Sequence, residues 1–198
     1  KKAGRALVVI VILNICLSLV SWSVMTSAAM ETAERLLIDF NSADEKENWQ
    51  IINDDVMGGI SQSEIIFNDT GTATFQGRIS LENNGGFAST RNKSHSYRLG
   101  GYSGLHVRIQ GDGKDYQLRV RTDNRLDGIS YRYRFATQPE TWMNIRVPFS
   151  EFDPVFRGRI LSNVSPISPE QIQQVGFLIS DKQAGKFHIE IDWIKAYK

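Results

Sequence analysis

The chain has 198 residues, 41% of them hydrophobic, which suits one globular domain with one sizeable core and a short targeting segment. Its formal charge of +1 depends on Lys1, Lys2 and Arg5; without these three, the 23 basic side chains become 20 against 22 acidic ones, a balance of −2. Such a balance excludes a global electrostatic attraction to nucleic acid, so any basic surface is a local patch. The one cysteine, Cys16, lies in an apolar stretch near the start, which excludes disulfides and cysteine-ligated zinc from everything after it.

Lys1, Lys2 and Arg5 precede an apolar stretch from Ala6 to Met25, and Thr26-Ser27-Ala28-Ala29 follows. Basic, apolar and small-residue regions in that order describe a secretory signal cut after Ala29. About 20 apolar residues also suffice for an uncleaved anchor helix. Either way the expected division is 1–29, a signal peptide or membrane anchor, and 30–198, a single domain. The expected location is extracytoplasmic, periplasmic or secreted, with the membrane touched only through the N-terminal segment.

The first strand is predicted at Leu36-Leu37-Ile38-Asp39-Phe40, followed by a charged loop and Trp49-Gln50-Ile51-Ile52. Then comes Asn53-Asp54-Asp55-Val56-Met57-Gly58-Gly59-Ile60-Ser61. Asn and Asp side chains bond nearby backbone amides and glycine reaches positive φ, so this stretch predicts a tight loop whose acids cap amides. Ser63 to Phe67 and Ala73 to Ile79 flank Asn68-Asp69-Thr70-Gly71, a hairpin signal. Asn83 to Arg91 reads as a second loop of amides and glycines. From residue 105 apolar and polar residues alternate through 105–110, 115–121, 130–135 and 142–147, the period of half-buried strands. Gly111-Asp112-Gly113-Lys114 is predicted to join the first two of these as a hairpin. Residues 152–159 read as irregular, and Ser168-Pro169-Glu170-Gln171 as the capped start of one or two helical turns. Val175 to Ser180 and Phe187 to Tyr197 are the closing strands. About ten short strands with almost no helix predict an all-β, antiparallel β-sandwich or jelly roll, and exclude a parallel nucleotide-binding sheet.

If the four alternating strands share one sheet, a single face collects Arg108, Arg119, Arg121, Arg132, Arg134 and Arg146 with His106, Asn144 and Trp142. The plain alternative is a solvated face whose charges pair across strands. The functional alternative is a face that grips an anionic or polyhydroxylated ligand, with arginines as forks and Trp142 as a stacking platform. Catalytic patterns are thin. His95, His106 and His188 have no metal-ligand spacing, and no nucleophile elbow is present. Asp54 or Asp55 would serve a glycosidase only beside a second carboxylate, and with Asp112 they are loop acids open to calcium without a dense ligand loop. No catalytic residue, metal site or cofactor is therefore assigned.

Five stretches together resemble the complex I intermediate-associated protein 30 family: NDDVMGGIS at 53–61, NNGGFASTR at 83–91, GDGKDYQLRVRT at 111–122, WMNIRVPFSEF at 142–152 with Arg157-Gly158 after it, and GFLISDKQAGKFHIEIDWI at 176–194. The resemblance implies a galactose-binding-domain-like jelly roll and, for mitochondrial members, assembly of respiratory complex I without an established enzyme activity. The leader marks the chain as resembling a bacterial, secreted member. The expected function is thus a non-enzymatic module that binds subunits of a membrane or envelope complex, with a carbohydrate-binding module as the alternative. The candidate binding residues are Asn53, Asp54, Asp55, Met57, Asn84, Arg91, Arg119, Arg132, Trp142, Asp181 and Lys182.

Overall fold

Alternation of apolar and polar residues becomes antiparallel pairing in the computed structural model, which describes residues 33–198 except Leu126. The expected signal or anchor helix lies outside the described residues, among which no helix is long and apolar enough to cross a membrane. In chain order the strands are β1 (Glu34–Asp39), β2 (Trp49–Asn53), β3 (Gln62–Phe67), β4 (Ala73–Ile79), β5 (Ala88–Asn92), β6 (Gly104–Gly111), β7 (Asp115–Arg121), β8 (Ser130–Ala136), β9 (Trp142–Pro148), β10 (Asp153–Phe156), β11 (Arg159–Ile160), β12 (Gln174–Ile179) and β13 (Gly185–Tyr197). They form two sheets. One runs β3-β4-β13-β6-β9 with β1 added to β13; the other runs β11-β10-β8-β7-β12-β5-β2.

The long strand β13 holds the first sheet together. Residues 185–191 pair with β4, residues 193–197 pair with β1 on the same side, and β6 lies along the other side. A bulge between Ile191 and Trp193 shifts the inward set from Ile189 and Ile191 to Ile194 and Ala196, all four fully buried. One extra residue reverses which side chains face in. Trp193 therefore faces out beside Arg108 and Lys195.

The apolar sets of both sheets meet in one core. Phe75, Leu105, Val107, Ile109, Ile189 and Ile191 come from the first sheet, and Tyr116, Leu118, Val120, Val175, Phe177 and Ile179 from the second. Phe75 and Phe187 pack edge to face with centroids 5.0 Å apart, a favoured aromatic geometry.

The described residues correct four expectations about local structure. Gly111–Lys114 is no hairpin, because β6 and β7 belong to different sheets. The turn passes from one layer to the other and is pinned by Asp112, which accepts from Lys114 N (3.1 Å), the Tyr116 hydroxyl (3.0 Å) and His188 N (3.1 Å). Gly111 is needed there, since a Cβ would stand 2.4 Å from Thr137 Oγ1. The second loop contributes a strand, as 88–92 pairs with both β2 and β12. Residues 152–159 are partly ordered as β10 and β11 at the sheet edge. Pro169–Gln171 makes one 3-10 turn, and the Ser168 hydroxyl bonds Glu170 instead of a backbone amide.

Candidate functional site

Asp54 follows β2 directly and is fully buried. Its Oδ1 accepts from Ser61 N at 2.9 Å, and its Oδ2 from Ser61 Oγ at 2.5 Å, Gly86 N at 2.6 Å and Phe87 N at 3.2 Å. One carboxylate thereby ties the 53–61 loop to the 83–91 segment. Two glycines make room for it: a Cβ at Gly59 would lie 2.4 Å from Asp54 Cγ, and one at Gly85 would lie 2.6 Å from Oδ2. Burial pulls the carboxyl pKa upward, but the Ser61 hydroxyl and the amides of Gly86, Ser61 and Phe87 outweigh it and hold Asp54 below the usual range. It is an ionised structural hub.

The loop that Asp54 fixes turns its apolar side chains to solvent. Val56 is 69%, Met57 61% and Ile60 49% exposed. Leu81 is exposed beside this loop, where Ser80 N donates to Ser61 Oγ at 3.0 Å. Asn53 is held by Ser63 Oγ at 2.6 Å, while Asp55 and Asn84 are exposed, Asn84 with a left-handed φ of 60°.

The outer face of the second sheet carries an arginine row. Registers align Gln50 with Arg91, Arg91 with Gly176, Gly176 with Arg119, Arg119 with Arg132, and Arg132 with Asp153. Arg119 donates to Gln117 Oε1 through Nε (3.0 Å) and Nη2 (2.7 Å) and to Ser130 Oγ through Nη1 (2.8 Å). Burial lowers the pKa of Arg91 to about 10, helped by Arg121; burial likewise lowers Arg119 to about 10, helped by Arg132 and Arg121. Asp181 stands at the rim, where its Oδ2 accepts from Arg134 at 2.6 Å and Gln117 at 3.2 Å. Lys182 beside it is exposed.

Trp142 is not on this face. The expectation that Arg119, Arg132 and Trp142 share one sheet fails, because β9 pairs with β6 in the first sheet while β7 and β8 lie in the second. Trp142 is half-buried on the outer side of the first sheet, with the Arg108 guanidinium 4.7 Å above its ring. Lys195 covers Trp193 at 4.0 Å and Arg146 covers Tyr197 at 4.7 Å. These cations occupy ring faces that a sugar would stack on. Sequence reasoning missed Gly85, Ser61 and Gly176, whose roles come from what lies opposite them in space. The small-residue alternation in Ala88-Ser89-Thr90-Arg91 was the available signal for β5.

The candidate residues thus fall into three groups: Asn53, Asp54, Asp55, Met57 and Asn84 near the hub; Arg91, Arg119 and Arg132 on the second sheet with Asp181 and Lys182 at its rim; and Trp142 by itself. Against known proteins, residues 38–191 match the complex I intermediate-associated protein 30 family. The chain belongs to this family. A mitochondrial complex I intermediate-associated protein 30 from Mus musculus is 25% identical over 85% of this chain and 57% of its own length. A probable one from Caenorhabditis elegans is 26% identical over 80% and 52%. The chain spans a little over half the length of these curated relatives. Among solved structures, a family 11 carbohydrate-binding module from Clostridium thermocellum superposes with a TM-score of 0.63 at 17% identity, covering 84% of this chain and 95% of that one. An agarase matches with a TM-score of 0.55 at 10% identity over 83% of this chain and 24% of the agarase. At such identities the likeness is one of fold, an all-β sandwich of the carbohydrate-binding-module kind.

The family also overturns the extracytoplasmic location expected from residues 1–29. Its curated relatives from mouse and Drosophila melanogaster are named mitochondrial. The expectation rested on the order of basic, apolar and small residues alone.

Proposed function

We propose that this domain is a non-enzymatic binding module that holds a protein partner during assembly of a membrane complex, the partner being a complex I assembly intermediate of the kind its relatives are named for. The supporting observation is the loop fixed by Asp54. A buried carboxylate with four hydrogen bonds holds Val56, Met57 and Ile60 in the solvent, where they gain nothing for the fold. Exposed apolar side chains on a rigid loop are what a protein interface uses, since little ordering entropy is lost on binding. Asp54 is unsuited to acid or nucleophile chemistry, being ionised, buried and taken on both oxygens.

The test is a double variant, Val56→Asp with Met57→Asp. Both side chains are exposed, so the melting midpoint should stay within about 1 °C of wild type, in keeping with the small effects of surface changes. The wild-type chain should retain complex I subunits from a respiratory-membrane extract, and the variant should lose them. Equal retention by both would sink the proposal. Retention of the wild type on a polysaccharide column, abolished in Trp142→Ala, would replace it with carbohydrate binding.

A further inference from the structure

Arg91, Arg119 and Arg121 surround a cleft of about 70 Å³ on the outer face of the second sheet, bounded also by Ser89, Ser130 and Leu178. The row through its middle is Arg91-Gly176-Arg119, so the central position has no side chain to fill the space between two guanidiniums. Among the described residues no carboxylate lies within 4.0 Å of any of these three arginines; Asp153 approaches Arg132, Asp181 pairs with Arg134, and Asp123 with Arg125. Arg91 Nε is buried without a hydrogen-bond partner. Arg119 spends three donor contacts on Gln117 and Ser130, leaving two of the five a guanidinium carries. Among the described residues, the Arg121 side chain donates to the Arg125 carbonyl at 3.0 Å.

Asp123, Asp127 and Asp181 offset part of the repulsion among these cations from beyond 4.0 Å, but a half-buried guanidinium with free donors is costly unless something accepts from it. The cleft opens to solvent and has room for a few water-sized groups. A carboxylate is small enough to enter it. Arginine forks match the planar oxyanion.

We propose that the Arg91-Arg119-Arg121 cleft is a carboxylate receptor, and that it takes the side chain of an aspartate or glutamate on the partner protein. This deepens the partner-binding proposal and rests on it, because a protein surface offers its oxyanions as carboxylates. Leu178 and Ser89 form the adjoining row, so the stem of the acidic side chain has an apolar surface to lie on.

The full chain is titrated with acetate and with inorganic phosphate at constant ionic strength, chloride being the control, while the arginine Nε–Hε NMR signals are followed. Acetate should shift the Arg91 and Arg119 signals saturably where chloride does not. Arg91→Gln should weaken acetate binding at least tenfold and leave the melting midpoint in chloride equal to or above wild type, since like-charge repulsion is relieved. Arg91→Gln should also lose the complex I subunits that wild type retains. Absence of a saturable shift, or unchanged acetate affinity in Arg91→Gln, overturns the site. Phosphate binding more than tenfold tighter than acetate overturns the carboxylate assignment. Full subunit retention by Arg91→Gln overturns the partner role of the cleft and leaves the proposed function standing. If wild type itself retains no subunits, the proposed function falls, and a saturable acetate response still marks the cleft as a receptor.

Discussion

Asp54 shows how much one side chain carries when its partners are backbone amides. In Asp54→Ala, the N–H groups of Ser61, Gly86 and Phe87 lose their acceptor, the first in a buried setting and the other two in a half-buried one. Orphaned donors cost about 1–3 kcal/mol each before relaxation and water entry, so a net loss of about 3 kcal/mol is expected in denaturant unfolding. The acid limb carries a second signature. Asp54 titrates below its ordinary value of 3.8 in the folded chain. Its contribution is therefore complete above about pH 4 and is lost as pH falls through the lower native pKa. Asp54→Asn should flatten the decline in melting midpoint below pH 4 relative to wild type; an equally steep decline would show that other carboxylates govern it. The amide-capping role of Asp54 was legible in the sequence, because Asn-Asp-Asp before Gly-Gly has few other local uses. Its second set of partners, 32 and 33 residues away, was not.

Strands raise a different matter, because alternation tells which residues share a face and not which strands share a sheet. Leu105, Val107 and Ile109 alternate just as Tyr116, Leu118 and Val120 do, yet β6 and β7 lie in opposite layers. The arginines expected on one surface are therefore divided. Arg108 and Arg146 pair with Asp192 and Glu34 on the first sheet, whereas Arg119, Arg121, Arg132 and Arg134 lie on the second, where Arg91 joins them. The alignment depends on Gly176, where a Cβ would stand 2.3 Å from Thr90 O and 2.7 Å from Arg91 Cβ. A backbone oxygen cannot swing aside, so β5 and β12 would have to separate. Gly176→Ala should cost about 2 kcal/mol, within the range for overpacking, despite the usual gain from removing a strand glycine. A thermal melt checks it, and an unchanged midpoint would show that the strands slide apart freely.

Across the molecule, stability should be graded by distance from β13. That strand is paired along both sides, with β4 and β1 on one and β6 on the other. Its inward residues Ile189, Ile191, Ile194 and Ala196 are fully buried. The edge strands β3, β9, β2 and β11 each have one neighbour. Hydrogen exchange should be slowest in β13 and β6 and fastest in β11 and β2, since opening an edge exposes less core. Faster exchange in β13 than in β2 would contradict this order. The sequence by itself determined the fold class, most strand positions, the hairpin at 68–71 and the capping chemistry of the 53–61 loop, because period-two burial and Asx-glycine turns are local rules. Tertiary structure alone decided which sheet each strand joins, that 111–114 crosses between layers, that a bulge turns Trp193 outward, and that Arg91, Gly176 and Arg119 fall in one row. Those outcomes depend on pairing between residues far apart in the chain, 85 positions for Gly176 and Arg91 and 163 for Glu34 and Tyr197. Period two is the same whichever neighbour a strand finds.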